Sequence, residues 1–143
     1  MARYVTTIES RLPQAEAFAY MADFANAAIW DPSVSEAKLV GDAPIGLGSE
    51  FDLVARFGGR DVPLRYAIVE YEAPARVVLE ARRPGFSSRD VITVEPAGDG
   101  SVVGYDATLA FNGLGRLADP VMQRIFKGVG AKATLGMQTA LNP

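Results

Sequence analysis

Period-two alternation of apolar and polar residues runs from Ser33 to Phe111, and it constrains the fold of this chain more than any other feature. Tight-turn sequences interrupt the alternation at Gly58-Gly59, Pro84-Gly85 and Gly98-Asp99-Gly100. Consecutive short strands that are apolar on one side are typical of an antiparallel sheet covered on one face. The pattern therefore predicts a meander of strands with one buried face.

The segment before the meander reads as one strand followed by two short helices. Residues 3–11 alternate and predict the strand, and Pro13 is predicted to occupy the first position of the first helix. An apolar stripe at helical spacing follows, formed by Ala15, Phe18, Met21, Ala22 and Ala25. Asp23 is expected to interrupt this helix or cap a second one through Ala28, and Trp30-Asp31-Pro32 ends the segment because proline disfavours a helical residue before it.

After the meander the period changes to that of a helix. A helix over residues 120–141 would be about 33 Å long, and Asp119 followed by Pro120 is a typical helix start. Its apolar stripe consists of Met122, Phe126, Val129, Ala133, Met137 and Leu141. Gly128, Gly130 and Gly136 each cost roughly 1 kcal/mol relative to alanine. Close approach to the sheet, or room for a ligand, would offset that cost.

Composition excludes several classes of function. The chain has no cysteine and no histidine, which removes disulfides, thiol nucleophiles and Ser-His-Asp triads. Acidic residues lack metal-ligand spacing, so neither a metal nor a cofactor is expected. A net charge of −3 argues against nucleic-acid binding.

No apolar run approaches the ~20 residues of a membrane span, and the polar N-terminus lacks a secretory signal. A cytoplasmic, single-domain protein over residues 1–143 is expected.

The order of elements is that of the helix-grip architecture, and five segments also carry a family resemblance: residues 12–32, 45–51, 66–78, 99–111 and 113–130. In these the sequence resembles the START-related superfamily called SRPBCC, within it the polyketide cyclase/dehydrase-like group. The resemblance implies an α+β helix-grip fold, in which a curved antiparallel sheet of about seven strands wraps around the C-terminal helix. Members of this superfamily bind lipids, sterols, polyketides or other apolar molecules between sheet and helix. Some catalyse cyclisation or dehydration.

The side chains expected to face the space between sheet and final helix are mostly large and apolar. The candidate ligand-binding set is Trp30, Phe51, Leu53, Phe57, Tyr66, Asp90, Tyr105, Leu109, Met122 and Phe126. These side chains either line a cavity for a small hydrophobic molecule or simply fill the space as a core. The sole tryptophan, Trp30, is interpreted as a core residue that packs the two short helices against the sheet, rather than as an aromatic residue at the rim of the cavity.

Asp90 is the most informative single residue. It alternates in phase with Ile92 and Val94, so its carboxylate is expected to point inward, where burial raises an aspartate pKa unless a donor or cation holds it. Arg82, Tyr66 and Tyr105 are the candidate partners, and with Asp90 they are the candidate catalytic residues. The alternative is an aspartate near the strand end that turns to solvent.

Three functions are compatible with these residues. The first is a module that binds a small hydrophobic or aromatic molecule, and a homodimer is compatible with it. The second is a polyketide cyclase or dehydrase, a lyase or isomerase that needs no metal, because a desolvated carboxylate can act as acid or base. The third is a partner-binding subunit that resembles the cochaperone or toxin-like members of the superfamily, for which an exposed apolar patch would be evidence.

Overall fold

The computed structural model describes residues 1–113 and 119–143 of the chain. Within these ranges the elements are β1 (Ala2–Ser10), α1 (Gln14–Ala22), a 3-10 turn (Phe24–Asn26), α2 (Ala27–Trp30), β2 (Val34–Leu39), β3 (Glu50–Phe57), β4 (Arg60–Glu72), β5 (Arg76–Arg83), β6 (Phe86–Ala97), β7 (Gly100–Phe111) and α3 (Asp119–Ala140).

The strands form a single antiparallel sheet in the order β1-β7-β6-β5-β4-β3-β2. Strands β2 to β7 follow one another as the predicted six-strand meander, and β1 joins the sheet beside β7. The helix-grip prediction is therefore confirmed. At the β3–β4 hairpin the chain turns through Gly58 and Gly59, whose φ angles of 57° and 79° explain why glycine occupies both positions.

The alternation separates the two faces of the sheet as predicted. Phe51, Leu53 and Ala55 of β3 are buried, as are Leu64 and Ile68 of β4. The opposite face carries ion pairs between neighbouring strands, namely Arg3–Asp106, Arg65–Asp52 and Arg89–Glu80. Exposed pairs of this kind stabilise a fold by at most about 1 kcal/mol each. The burial of the concave face is therefore the larger stabilising effect.

The two short helices differ in detail from the prediction. Pro13 precedes α1 instead of opening it, because its ψ of 157° is not helical. Ala15 is exposed, and Ala17 takes its place on the buried face that α1 packs against β6 and β7. The Asp23 carboxylate accepts a hydrogen bond from the Ala25 backbone N–H at 3.2 Å, which confirms the predicted cap between the helices. The second helix then continues to Trp30, two residues beyond the predicted end.

Helix α3 is the longest element among the described residues, and it lies along β1. Phe126, Ala133, Met137 and Leu141 of the predicted stripe are buried, while Met122 and Val129 are half-buried. The prediction that this stripe packs inward is confirmed. The capping role predicted for the Asp119 side chain lies outside the described residues.

Side-chain amides at the two ends of α3 bind the outer backbone of β1. The Gln123 amide accepts a hydrogen bond from the Arg3 N–H at 2.8 Å and donates one to the Arg3 carbonyl at 3.0 Å. Asn142 does the same beyond the other end of the strand, accepting from the Arg11 N–H and donating to the Glu9 carbonyl. These two amides therefore satisfy backbone groups at both ends of β1, an edge strand of the sheet in the described residues.

Two of the three helix glycines are explained by close approach. A methyl group at Gly136 would overlap the carbonyl oxygen of Trp30, at the end of α2, and one at Gly130 would overlap the ring of Tyr4 in β1. A methyl group at Gly128 would meet no atom within 4 Å. Gly130 thus approaches the sheet as predicted, whereas Gly136 approaches the second helix.

This difference yields a stability prediction. Gly136→Ala should lower the free energy of unfolding by roughly 2 kcal/mol, because relieving overlap with a backbone atom requires the helices to separate. Gly128→Ala is the matched control, and it should raise the free energy of unfolding by up to about 1 kcal/mol through helix propensity. Urea denaturation of the two variants measures both effects. A Gly136→Ala protein as stable as the Gly128→Ala protein would contradict the packing described here.

Candidate functional site

A small, partly enclosed cavity lies between the concave face of the sheet, α2 and α3. Its volume is about 50 Å³, and a second void of about 20 Å³ lies beside it toward β1. One water molecule needs a cavity volume of roughly 10–15 Å³, whereas a cavity that binds benzene has a volume of about 150 Å³. The space therefore holds a few waters at most, and side chains fill most of the region in which a ligand cavity was predicted.

Most of the candidate ligand-binding side chains line this cavity. Those that do are Trp30, Leu53, Phe57, Tyr66, Asp90, Tyr105, Leu109 and Phe126. Phe51 is buried beside the cavity against Phe24, with ring centroids 6.3 Å apart, and Met122 is half-buried at the start of α3. Trp30 is fully buried, so it is a core residue, as interpreted, and also a wall of the cavity.

Asp90 faces the interior, as the alternation predicted. The residue is only 4% exposed, and its Oδ2 accepts a hydrogen bond of 2.8 Å from the Tyr105 hydroxyl. The two residues come from neighbouring strands, β6 and β7, whose register places Asp90 opposite Ala107. The expectation that a tyrosine hydroxyl serves as its donor is confirmed.

Burial governs the proton affinity of this pair. It raises the pKa of Asp90 to about 7, an effect that the Tyr105 hydrogen bond opposes and the negative charges of Asp31 and Asp106 reinforce. Burial, together with the charge of Asp90, also raises the pKa of Tyr105 and of Tyr66 well above the usual value. Both phenols thus stay protonated, and the Asp90 carboxyl exchanges its proton near neutral pH.

Three polar residues of the cavity lining were not predicted, namely Asp31, Ser33 and Ser88. Ser88 lies two residues before Asp90 on β6, and its hydroxyl is 2.8 Å from the Tyr66 hydroxyl. Asp31 follows α2, and its Oδ1 accepts hydrogen bonds from the N–H and the hydroxyl of Ser33. Burial raises the Asp31 pKa, although these hydrogen bonds oppose the rise. Ser88 and Asp90 are two residues apart on β6 and point to the same side of the sheet, so the alternation could have identified Ser88. Asp31 lies between α2 and β2, where no periodic pattern fixes the direction of its side chain.

The indole N–H of Trp30 is a buried donor without an acceptor in the described part of the chain. Its ring packs edge-on against Tyr105 and Phe24, with centroids 5.4 Å and 6.0 Å away. Leaving such a donor unpaired costs about 1–3 kcal/mol. A water or a ligand oxygen would satisfy it.

Arg82 is not a partner of Asp90, and that candidate was wrong. Its side chain is 81% exposed and lies 3.3 Å from Glu80 on the surface. Period-two geometry explains the placement, because Leu79 and Ala81 of β5 point inward and Arg82 therefore points outward. The cavity lining accordingly contains no arginine or lysine among the residues that the structure describes.

Phe57 of β3 and Phe126 of α3 stack on each other at the outer end of the cavity, with ring centroids 6.4 Å apart. A solvent-open groove of about 350 Å³ lies nearby, with Arg56 and Lys132 among its lining residues. It shares Ser33 and Val129 with the cavity wall. These shared residues place the cavity next to the groove.

A larger open groove of about 870 Å³ crosses β2, β3 and β4. Its lining includes charged residues such as Lys38, Asp52 and Arg65, and Asp90 does not belong to it. Within residues 1–113 and 119–143, no group of three acidic side chains is arranged to hold a metal ion. No helix in these ranges has the length and apolar character of a membrane span.

Comparison with known proteins relates the whole chain to one family. The sequence model of the family described as "Polyketide cyclase / dehydrase and lipid transport" matches residues 1–142. No curated protein matches the sequence.

Solved structures share the fold at low sequence identity. A START superfamily protein from Mycobacterium smegmatis superposes with a TM-score of 0.80 at 12% identity, covering 99% of this chain and 97% of that one. Ginseng major latex-like protein 151 from Panax ginseng gives 0.72 at 11% identity, covering 99% and 98%. The di-domain ARO/CYC protein StfQ of the steffimycin biosynthetic pathway gives 0.69 at 14% identity, covering 98% of this chain and 50% of that one.

The raised pKa of Asp90 predicts a pH dependence of stability. In the unfolded chain Asp90 ionises near its ordinary pKa of about 3.9, whereas in the folded chain it keeps its proton up to a pH of about 7. The folded state thus binds more protons in this window, and the contribution of Asp90 to stability falls as the pH rises. The loss amounts to roughly 4 kcal/mol between about pH 4 and pH 7, with no further change above.

Asp90→Asn isolates this contribution, since asparagine can still accept from Tyr105 and does not titrate. The wild type should lose stability relative to the variant as the pH rises from about 4 to about 7. Chemical denaturation of both proteins across this range measures the difference, in which the contributions of carboxyls that do not interact with Asp90 cancel. A constant difference would show that Asp90 has an ordinary pKa.

Proposed function

Because this chain belongs to the polyketide cyclase / dehydrase and lipid transport family, we propose that it binds a small hydrophobic or aromatic molecule, lipid- or polyketide-like, in the cavity between the sheet and α3. The observation that carries this proposal is the polar cluster at the cavity. A core that served stability alone would not need Asp90 with a pKa of about 7 or a Trp30 N–H without an acceptor.

The walls of the cavity suit an apolar ligand. Most of the lining is aliphatic or aromatic, and its polar side chains are those of Asp31, Ser33, Ser88 and Asp90, together with the hydroxyls of Tyr66 and Tyr105 and the Trp30 N–H. Apolar burial at roughly 25 cal/mol per Å² would supply most of the affinity, and the polar atoms would orient the ligand. This combination of apolar walls and few polar groups is common in small-molecule sites.

The ligand must displace side chains, because 50 Å³ is too small for an aromatic ring. The Phe126 ring is the first candidate, since it closes the outer end of the cavity and belongs to α3. Nearby, Gly128 has open space beside it. Binding is therefore expected to move Phe126 toward the solvent groove.

The sole tryptophan lies in the cavity wall and reports on its contents. Addition of p-cresol should change Trp30 fluorescence saturably, and Phe126→Ala should tighten the dissociation constant several-fold, because removing the ring creates the missing volume. Leu135→Ala, at an exposed position of α3 that lines neither the cavity nor the solvent groove, is the matched control and should leave the constant unchanged. Absence of saturable binding in both the wild type and Phe126→Ala would contradict the proposed function.

A second candidate function, catalysis of cyclisation or dehydration, is favoured by one observation. Asp90 has a pKa of about 7 and touches the Tyr105 hydroxyl, so at neutral pH it can both accept and donate a proton. Tyr105, whose pKa is raised, would act only as a donor that orients the carboxylate.

The catalytic role is tested by Asp90→Asn with a linear poly-β-ketone thioester as substrate. The wild type should release cyclised or dehydrated product, and the variant should lose at least about 100-fold in rate, the usual contribution of a positioned acid or base. Binding of p-cresol should be retained in the variant, which would separate catalysis from folding. Equal product formation by both proteins would leave binding as the function.

A further inference from the structure

Two carboxylates line the buried cavity, and no cation accompanies them among the described residues of its wall. Asp90 enters from β6 and Asp31 from the end of α2. Each uses one oxygen in a hydrogen bond, Asp90 to Tyr105 and Asp31 to Ser33, while the other oxygen has no partner in the described parts of the chain. Asp90 is buried and Asp31 is half-buried. A carboxylate removed from water is ordinarily paired with a cation or held by several donors.

Aromatic rings surround these carboxylates. The lining includes Phe24, Trp30, Phe57, Tyr66, Tyr105 and Phe126. The faces of such rings attract organic cations, most strongly where water is excluded. A site that combines carboxylates with surrounding aromatic rings is well suited to bind an alkylated or arylalkyl ammonium group.

We infer that the ligand of this cavity is an organic amine with an apolar or aromatic body, whose ammonium group pairs with Asp90 and Asp31 while the rings enclose its carbon skeleton. The inference rests on the proposed function and specifies the charge of the ligand.

The charges around Asp90 favour a cationic ligand over a neutral one. The titratable groups that influence it are Asp31 beyond α2, Tyr66 on β4, and Tyr105 and Asp106 on β7, none of which is cationic. Asp106 is already paired with Arg3 on the outer face of the sheet. Beside Asp90 and Asp31, an incoming ammonium group would supply the positive charge that the described residues of the cavity wall do not. It would relieve both the burial and the mutual repulsion of the two carboxylates.

The cations nearest to the route of entry do not reverse this preference. Arg56 and Lys132 line the outer groove and are exposed. Charges in water are screened within about 8–10 Å at physiological salt, whereas buried charges interact more strongly. The Trp30 N–H does not discriminate between a cationic and a neutral ligand, because a water molecule can accept its hydrogen bond beside either ligand.

Three probes of similar shape and different charge test the inference: benzylamine, benzyl alcohol and benzoate. Their dissociation constants are measured from Trp30 fluorescence in the wild type, and in Phe126→Ala to provide more room. At about pH 8, where Asp90 is mostly ionised, benzylamine should bind at least about tenfold more tightly than benzyl alcohol, and benzoate more weakly than both.

Two further measurements identify the carboxylates as the cause. As the pH falls below about 7, the affinity for benzylamine should drop by up to tenfold per unit, since the ammonium group must compete with a proton on Asp90. The affinity for benzyl alcohol should change little. Asp90→Asn should weaken the preference for the amine at least several-fold, with Asp31 accounting for what remains, whereas Asp52→Asn, which removes a carboxylate on the outer face, should preserve the full preference.

The outcomes separate the two proposals. Binding of benzyl alcohol or benzoate as tightly as benzylamine at about pH 8 would overturn the amine inference and leave the proposed function standing. A preference for the amine that is undiminished in Asp90→Asn would overturn the assignment of this carboxylate. Failure of all three probes to bind either protein would overturn the proposed function together with the inference.

Discussion

The contact between Gly136 of α3 and the carbonyl of Trp30 is the constraint on which the interior of this protein depends. Without a side chain at Gly136, the long helix lies directly on the end of α2. Trp30 is thereby held against Tyr105 and Phe24, and the next residue, Asp31, enters the cavity wall. One close backbone approach thus holds in place two neighbouring residues of the cavity wall, Trp30 and the carboxylate-bearing Asp31.

The cavity combines features that stability alone would disfavour. Asp90 in its ionised form, the unpaired indole N–H and the void beside them each reduce the free energy of unfolding. The surrounding sheet offsets these losses, because the concave faces of β3 to β7 bury a continuous apolar surface. Departures from efficient packing that are concentrated at one place are typical of functional sites, where local rules are broken and the remainder of the fold compensates.

The sequence predicted what depends on periodicity and failed where exact packing decides. Period two placed Asp90 inward beside Tyr105, and period 3.6 placed Phe126 and Met137 against the core. Arg82 was wrongly predicted as a partner because a cation was expected beside a buried carboxylate. The alternation along β5 places its side chain on the outer face of the sheet. Asp31 lies beyond a four-residue helix, so no periodic pattern fixes its direction. The volume of the cavity depends on differences of a few ångströms between helix and sheet, which spacing along the chain does not encode.

The amides of Gln123 and Asn142 have a consequence for the behaviour of this protein at high concentration. They occupy backbone groups of β1 that an added strand would need, which leaves β2 as the accessible edge of the sheet in the described residues. That strand carries a bulge between Val34 and Glu36, and its pattern includes the charged Lys38. Bulges and charges on an edge disfavour intermolecular strand addition. The open sheet is thus protected against polymerisation at one edge by occupied hydrogen bonds and at the other by irregularity and charge.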